Sequence, residues 1–182
     1  MGGDGCGDRS GGGKRVADFT LAHWTRLLAS LGRRETLAGL FAETYDRVLD
    51  GGPLQEIFFA TQEGYKTMVS DPGISYRCGS LAVLNVGRSL GKPEVDLRVV
   101  IEARSSENGF SVGDLLGLCA QAGLPLVAAQ RPAGDESLVI PSVIHWRQNH
   151  YAAVLDAKGD YVRVKDPTFG HPRWLHTKVV NA

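Results

Sequence analysis

Three residues of this sequence are of the types that together activate a thiol nucleophile: Cys78, His150 and Asp166. A cysteine attacks as its thiolate, a histidine can hold the proton, and a carboxylate can orient and stabilise the imidazolium. Cys78 begins an apolar run, 78–84, that predicts a helix. A thiol at the amino end of a helix meets the positive end of the helix dipole, which favours the thiolate. These residues therefore form a candidate nucleophilic site if the fold brings them together.

The spacing of His150 and Asp166 indicates a β-hairpin. Two strand-like segments, 150–156 and 160–166, flank a three-residue loop that ends in glycine, which is a common hairpin connection. Folding the chain symmetrically about Lys158 places Val154 opposite Val162, Ala152 opposite Val164 and His150 directly opposite Asp166. Directly opposed residues share one face of a sheet. Because that face is otherwise apolar, we expect a partly buried pair in which each charge satisfies the other.

The composition is that of an ordinary globular domain. The chain has 182 residues, of which 43% are hydrophobic and 22% charged, and its formal net charge is zero. The absence of a basic stripe argues against nucleic acid as a partner, and no apolar run is long enough to predict a transmembrane segment. No motif indicates a cofactor, so none is expected.

The three cysteines, Cys6, Cys78 and Cys119, are odd in number and widely spaced, which predicts reduced thiols rather than a disulfide framework. Cys119 lies within an apolar helical stripe and is expected in the core. The amino-terminal sequence lacks the apolar stretch of a secretion signal, so the cytoplasm is the default expectation for localisation.

Composition and periodicity divide the chain into three segments. Residues 1–15 are glycine-rich and predict a disordered tail. Apolar residues at helical spacing predict a helical extension over 16–70, one face of which could bind a protein partner. A turn at 71–73 marks the boundary to a domain over 71–182.

Within residues 71–182, helices are predicted first and strands last. The helix from Cys78 is followed by a second, which starts at the capping box of Ser111 and Asp114 and ends at Gly123. Strands are predicted at 126–129 and 138–145, with Pro141 indicating an edge strand or a bulge, and in the hairpin. Helices followed by antiparallel strands predict an α+β fold.

The ordered set of these segments resembles the papain-like cysteine peptidases that process bacteriocin leaders, the double-glycine peptidase family. The matching segments are Cys78-Gly79, Gly109-Phe110-Ser111, Gly123-Leu124, 140–146, 150–154 and 166–170. The resemblance implies a papain-like fold in which Cys78 is the nucleophile, His150 the general base and acid, and Asp166 the orienting carboxylate. It also implies a peptide or protein substrate with small residues before the cleavage point.

The same resemblance raises the question of the oxyanion hole. The Cys78 backbone amide is expected to supply one donor. The family places a glutamine about six residues before the cysteine, where this chain has Pro72, so Ser75 is the candidate for the second donor, with Tyr76 and Gln62 as alternatives. Family members continue through a further strand after the aspartate, so we expect the domain to be truncated at its carboxyl end.

Other interpretations of these residues remain open at this level. The domain could be a catalytically degenerate peptide-binding module, or a transglutaminase-like acyltransferase with the same triad. His150 and Asp166 could form a structural ion pair without chemistry. A zinc site is the weakest alternative, because its potential ligands lack the usual close spacing; they are Cys78, His145, His150, His171 and His176.

Overall fold

The computed structural model describes residues 9–132 and 134–181. The chain divides into two compact units, the first ending at Ser70 and the second beginning at Asp71. The division falls at the turn over 71–73. In the part of the chain that the structure describes, no helix combines the length and apolarity needed to cross a membrane.

From residue 9 onward, the first unit contains three helices: α1 (Arg9–Ser30), α2 (Arg34–Glu43) and α3 (Gly52–Ser70). Helix α1 begins inside the segment 1–15, so the predicted disorder is wrong for residues 9–15; residues 1–8 lie outside the described residues. Once a helix is nucleated, each added residue gains a backbone hydrogen bond, so α1 can extend through glycines. Leu49, Phe58 and Ala22 form the buried centre of the unit.

A buried carboxylate ties this unit together. Asp18 has no exposed surface, and its Oδ1 accepts hydrogen bonds from Arg47 Nε at 2.8 Å and Nη2 at 2.6 Å. Its Oδ2 accepts from Lys14 Nζ at 3.0 Å and from the Asp50 amide at 2.7 Å. Burial alone would raise the pKa of Asp18, but these hydrogen bonds outweigh it and lower the pKa to about 2. The carboxylate therefore stays charged inside the unit.

Replacing Asp18 by asparagine should destabilise the first unit by about 2 kcal/mol at pH 7, because an amide nitrogen would then face hydrogen-bond donors. The folded pKa of Asp18 lies below the unfolded one, so its stabilising contribution is present above about pH 4 and is lost as the pH falls toward 2. Urea unfolding followed by circular dichroism at pH 7 and pH 3 measures this. Asp46→Asn, at an exposed position, is the control. An equal effect of the two substitutions would contradict the prediction.

Within its described residues, 71–132 and 134–181, the second unit contains five helices and four strands. The helices are α4 (Pro72–Ser75), α5 (Cys78–Leu90), α6 (Leu97–Glu102), α7 (Val112–Ala122) and α8 (Thr177–Val180). Helix α5 begins at Cys78, as predicted, and α7 has the predicted capping box, in which Ser111 and Asp114 cap each other. Gly91 and Gly123 end these two helices in the left-handed conformation, which glycine adopts without strain.

The strands form one antiparallel sheet, which confirms the predicted α+β class. They are β1 (Ser142–Trp146), β2 (His150–Lys158), β3 (Tyr161–Lys165) and β4 (Arg173–His176), adjacent in that order. The strand predicted at 126–129 is wrong: the segment has no regular secondary structure and pairs with nothing in the sheet. Strand β1 begins after Pro141 rather than at 138. It lies at an edge of the sheet, where a proline, which has no N–H group, disrupts no hydrogen bond between strands. A further strand, β4, follows β3.

Two apolar clusters hold the second unit. One joins α5, α6 and α7 and includes Tyr151 of β2; the other is built on alternate residues of β2 and β3 and includes Val180 of α8. Helix α5 packs against β2. This packing brings the amino end of α5 to the first residues of β2.

Candidate functional site

The hairpin that carries His150 does not have the predicted register. The turn lies at Gly159 and Asp160, so that Lys158 pairs with Tyr161. A register irregularity between Val154 and Asp156 follows, and beyond it Val154 pairs with Val164 rather than with Val162. The prediction that His150 directly opposes Asp166 is therefore wrong. A two-residue turn and a bulge have replaced the three-residue loop.

His150 and Asp166 nevertheless lie on the same face of the sheet. The observed register differs from the predicted one by two residues, and side chains alternate with a period of two, so the shift leaves each side chain on its original face. Continuing the observed pairing places Asp166 opposite Ala152, which makes Asp166 a diagonal neighbour of His150. Diagonal neighbours remain within reach of long side chains.

His150 and Asp166 form a close pair. His150 Nε2 lies 2.9 Å from both Oδ1 and Oδ2 of Asp166. Only 9% of the His150 side chain and 12% of the Asp166 side chain is exposed. The carboxylate is itself fixed, because Oδ1 accepts a hydrogen bond from the Thr168 amide at 2.8 Å. The structure thus holds the imidazole from one side.

Cys78 also lies close to the imidazole. The thiol is half-buried at the first position of α5, and the His150 side chain and the amides of Tyr151 and Gly79 are near enough to lower its pKa. Because Nε2 faces Asp166, Nδ1 is the ring nitrogen that remains for the thiol. Cys78, His150 and Asp166 are therefore brought together in that spatial order.

The electrostatics of the site favour an ion pair. Burial raises the pKa of the Cys78 thiol, but hydrogen bonds from His150 and from the two amides outweigh burial, and the net pKa is lowered. Burial lowers the pKa of His150, yet hydrogen bonds and charge interactions with Asp166 and Cys78 raise it to about 9. Thiolate and imidazolium stabilise each other, so both titrations belong to the pair.

Gly79 allows the amino end of α5 to approach α7 closely. A Cβ at this position would lie 3.1 Å from Leu115 Cδ2 and 3.2 Å from Phe110 Cβ. Phe110 lies just before α7, and Leu115 lies within it. The glycine therefore helps to position Cys78 through helix packing.

Ser75 has a local partner rather than one at the thiol. Its hydroxyl donates to the Asp71 carbonyl at 3.1 Å, within the short helix α4 that begins at Pro72. The hydroxyl proton is thus already engaged, and a role for Ser75 as oxyanion donor stays a prediction. The Cys78 amide is among the first N–H groups of α5, which have no acceptor within the helix, so it can donate to a bound oxyanion.

Two pairs of stacked rings lie across the β1–β2 hairpin beside the triad. Trp146 pairs across the β1–β2 hairpin with His150, and the two rings are nearly parallel, at 13°, with centroids 6.0 Å apart. The next pair, His145 and Tyr151, is also stacked, with centroids 4.1 Å apart. A short turn at 147–149 makes residues 145–146 the cross-strand neighbours of residues 150–151. The sequence therefore contained a signal for these two pairs.

The other histidines do not form a zinc site with the triad. Among residues 9–132 and 134–181, no group of three or more histidine, cysteine, aspartate or glutamate side chains could hold a metal ion. His145 Nε2 lies 3.0 Å from Asn149 Oδ1, and His176 Nδ1 accepts a hydrogen bond from the Lys178 amide at the start of α8.

Comparison with known proteins gave no match: no family model, no curated protein and no solved structure is significantly similar to this chain. The class of protein that the coordinates define is an α+β protein with a thiol–imidazole–carboxylate site.

Proposed function

We propose that the second unit is a papain-like cysteine peptidase domain, a thiol hydrolase that cleaves peptide bonds through a thioester acyl-enzyme. The observation that carries this proposal is the convergence of three side chains: His150 Nε2 lies 2.9 Å from both carboxylate oxygens of Asp166, and His150 and the Cys78 thiol are close enough for each to shift the pKa of the other. A structural ion pair between His150 and Asp166 would need no cysteine. The third member, placed at a helix amino terminus with a lowered pKa, favours chemistry over a purely structural role.

In the first half of the proposed reaction, the Cys78 thiolate attacks the carbonyl carbon of a peptide and a C–S bond forms. The carbonyl oxygen becomes an oxyanion, which the Cys78 amide is positioned to stabilise. The imidazolium of His150 gives its Nδ1 proton to the departing amine nitrogen as the C–N bond breaks. A thioester on Cys78 and a free amine result.

In the second half, neutral His150 removes a proton from water, and the resulting hydroxide attacks the thioester. The C–S bond then breaks, which releases a carboxylic acid and restores the Cys78 thiolate next to a protonated His150. Asp166 accepts the hydrogen bond of Nε2–H throughout, so that Nδ1 carries out each transfer. A peptide with small residues before the cleavage point is the substrate that the family resemblance favours.

The test uses the full chain and a mixture of peptides of diverse sequence, with mass spectrometry to detect new peptide ends and an acyl adduct on Cys78. Wild-type protein should generate both. Cys78→Ala should abolish both, whereas Cys119→Ala, which removes the buried cysteine of α7, should retain them. An added primary amine discriminates hydrolysis from acyl transfer, because a transglutaminase-like enzyme would give amide products.

Two results would overturn the proposal. Cleavage that persists in Cys78→Ala would assign the activity to another group. A Cys78 thiol that is no more reactive than an ordinary thiol at neutral pH, with no cleavage of any peptide, would favour a peptide-binding module without catalysis.

A further inference from the structure

One face of the sheet in the second unit is only half covered. This face carries Tyr151, and α5 packs over its β1 and β2 strands. Among the described helices of this unit, only α8 has comparable contact with β3 or β4. Helix α8 packs its Val180 against Val162 and Val164, which lie on the opposite face of the sheet. The β3–β4 half of the first face therefore has no helix of the unit upon it.

The strand register assigns the side chains of this uncovered half, because directly opposed residues share a face. Lys165 pairs with Ala153, which lies two residues after Tyr151 on β2 and so on the same face. Across the other edge of β3, Arg163 pairs with Trp174. The uncovered half thus presents three cationic side chains, two aromatic rings and one carboxylate, which together we call the β3–β4 surface: Lys158, Arg163, Lys165, Tyr161, Trp174 and Asp156.

The β3–β4 surface is open to solvent, and two of its central cations are unpaired. Tyr161 is 50% exposed and Trp174 46% exposed. Arg163 and Lys165 are half-buried, so their alkyl stems lie along the sheet while their charged ends reach its surface. Within residues 71–132 and 134–181, neither side chain has a hydrogen bond or an ion pair, and Arg163 Nε is buried without a partner. A guanidinium that lacks an acceptor of its own is suited to the carboxylate of a ligand.

The charge of the β3–β4 surface indicates an anionic partner. Against its three cations stands one carboxylate, that of Asp156, which accepts a hydrogen bond from the Ala157 amide at 2.9 Å. The chain as a whole has no net charge, so the excess of positive charge is local to this face. The exposed rings beside the cations add apolar contact area. A peptide in which acidic side chains alternate with apolar ones complements both features.

The β3–β4 surface begins beside the triad. Lys165 directly precedes Asp166, and β3 runs from there back to Tyr161 at the far end of the surface. At about 3.3 Å per residue, this part of the strand is about 13 Å long, a distance that an extended peptide spans with about four residues. A peptide bound at the triad can therefore place residues remote from the scissile bond on this surface. Such remote contacts supply binding energy without touching the reacting atoms.

We propose that the β3–β4 surface is an exosite that binds an acidic segment of the peptide substrate, outside the residues that flank the scissile bond. This inference rests on the proposed function and adds a substrate class to it, namely peptides that carry an acidic segment. Arg163 and Lys165 bind the carboxylates of that segment. Trp174 and Tyr161 pack against its apolar side chains.

Binding is measured by fluorescence anisotropy with the full-length protein carrying Cys78→Ala, so that no probe is cleaved. The probe is a fluorescein-labelled peptide rich in glutamate with two leucines, and the matched probe has glutamine in place of each glutamate. The glutamate probe should bind more tightly than the glutamine probe. Arg163→Gln together with Lys165→Gln should weaken binding of the glutamate probe on the order of fivefold or more at low salt. This difference should shrink as the salt concentration rises.

Lys92→Gln together with Lys178→Gln is the control, because both lysines are exposed, lie off the β3–β4 surface and remove the same total charge. This pair should leave the affinity unchanged. Equal affinity for the two probes, or equal weakening by the control pair, would overturn the proposal. Tighter binding of a single-stranded oligonucleotide of the same length would also overturn it, since the surface would then suit nucleic acid better than peptide.

The role of the surface in cleavage is tested with a peptide that the wild type cleaves, extended at either end by the glutamate-rich or the glutamine-rich segment. The glutamate extension at one end should lower KM several-fold with little change in kcat, and Arg163→Gln with Lys165→Gln should remove that advantage. An unchanged KM for both extensions refutes the exosite while the proposed function stands. An unreactive wild-type Cys78 without cleavage refutes the proposed function, and the anisotropy result then decides separately whether the surface binds acidic peptides.

Discussion

Replacing His150 with glutamine should slow alkylation of Cys78 by iodoacetamide at pH 6 on the order of tenfold or more. Among the residues that the structure describes, His150 supplies the cationic side chain that lowers the pKa of the thiol, whereas burial raises that pKa. A smaller fraction of thiolate then reacts. The thiolate that remains is intrinsically more nucleophilic, which offsets part of the loss in alkylation rate. For this reason the rate is measured at acidic pH.

The pH profile of alkylation gives the clearest result. In the wild type, the rate should already be high below the ordinary pKa of a thiol, which is 9.0 for an unperturbed cysteine. In His150→Gln, the rising limb should move to higher pH, toward or beyond that value. Mass spectrometry separates the modification of Cys78 from that of Cys119, whose pKa is raised by burial.

His171→Gln is the control for this experiment, since His171 is exposed and the structure places it outside the triad. Its profile should match that of the wild type. If His150→Gln and the wild type share one profile, the thiol is not activated by the imidazole, and the proposed mechanism is wrong.

Replacing Asp166 with asparagine should reduce peptide cleavage on the order of a hundred- to ten-thousandfold. The carboxylate accepts from His150 Nε2 through both oxygens, and an amide group could present its NH₂ to that nitrogen instead. The imidazole would then carry its proton on Nδ1, facing Cys78, in the tautomer that cannot remove a proton from the thiol or from water. The main readout is cleavage by the wild type and the variant under matched conditions.

The same substitution should change the stability of the ion pair in a defined direction. The folded pKa of His150, about 9, exceeds the ordinary value of 6.5. Its stabilising contribution is therefore fully present below about pH 6.5 and is lost as the pH rises through about 9. Without the carboxylate, burial opposes the charged imidazole, so the midpoint measured by NMR should fall well below 9.

Asp160→Asn is the matched control, because Asp160 is exposed in the turn of the same hairpin. It should leave both cleavage and the His150 midpoint unchanged. Full cleavage by Asp166→Asn with an unaltered midpoint would show that the carboxylate has no role in orienting the imidazole.

The sequence was sufficient for the parts of the site that depend on local patterns. The helix beginning at Cys78 follows from its apolar run, and the capping box at Ser111 predicts the start of α7, since both signals lie within one or two helical turns. The shared face of His150 and Asp166 was also predictable, because the alternation of side chains along a strand survives an even error in register. The short apolar segment after α7 was not enough to distinguish a strand from an irregular loop.

Only the tertiary structure decided how these parts meet. The type of turn and the bulge determine the register of β2 and β3. The turn and the bulge depend in turn on how the two strands pack against the rest of the unit, and local composition does not encode that packing. The contact between Cys78 and His150 joins residues far apart in the chain and requires α5 to pack on β2. The hydrogen bond from Trp146 Nε1 to the Val180 carbonyl likewise depends on where α8 returns. Residue types and their periodicity thus determined the chemical groups and their faces, whereas the distances between them arise from long-range packing.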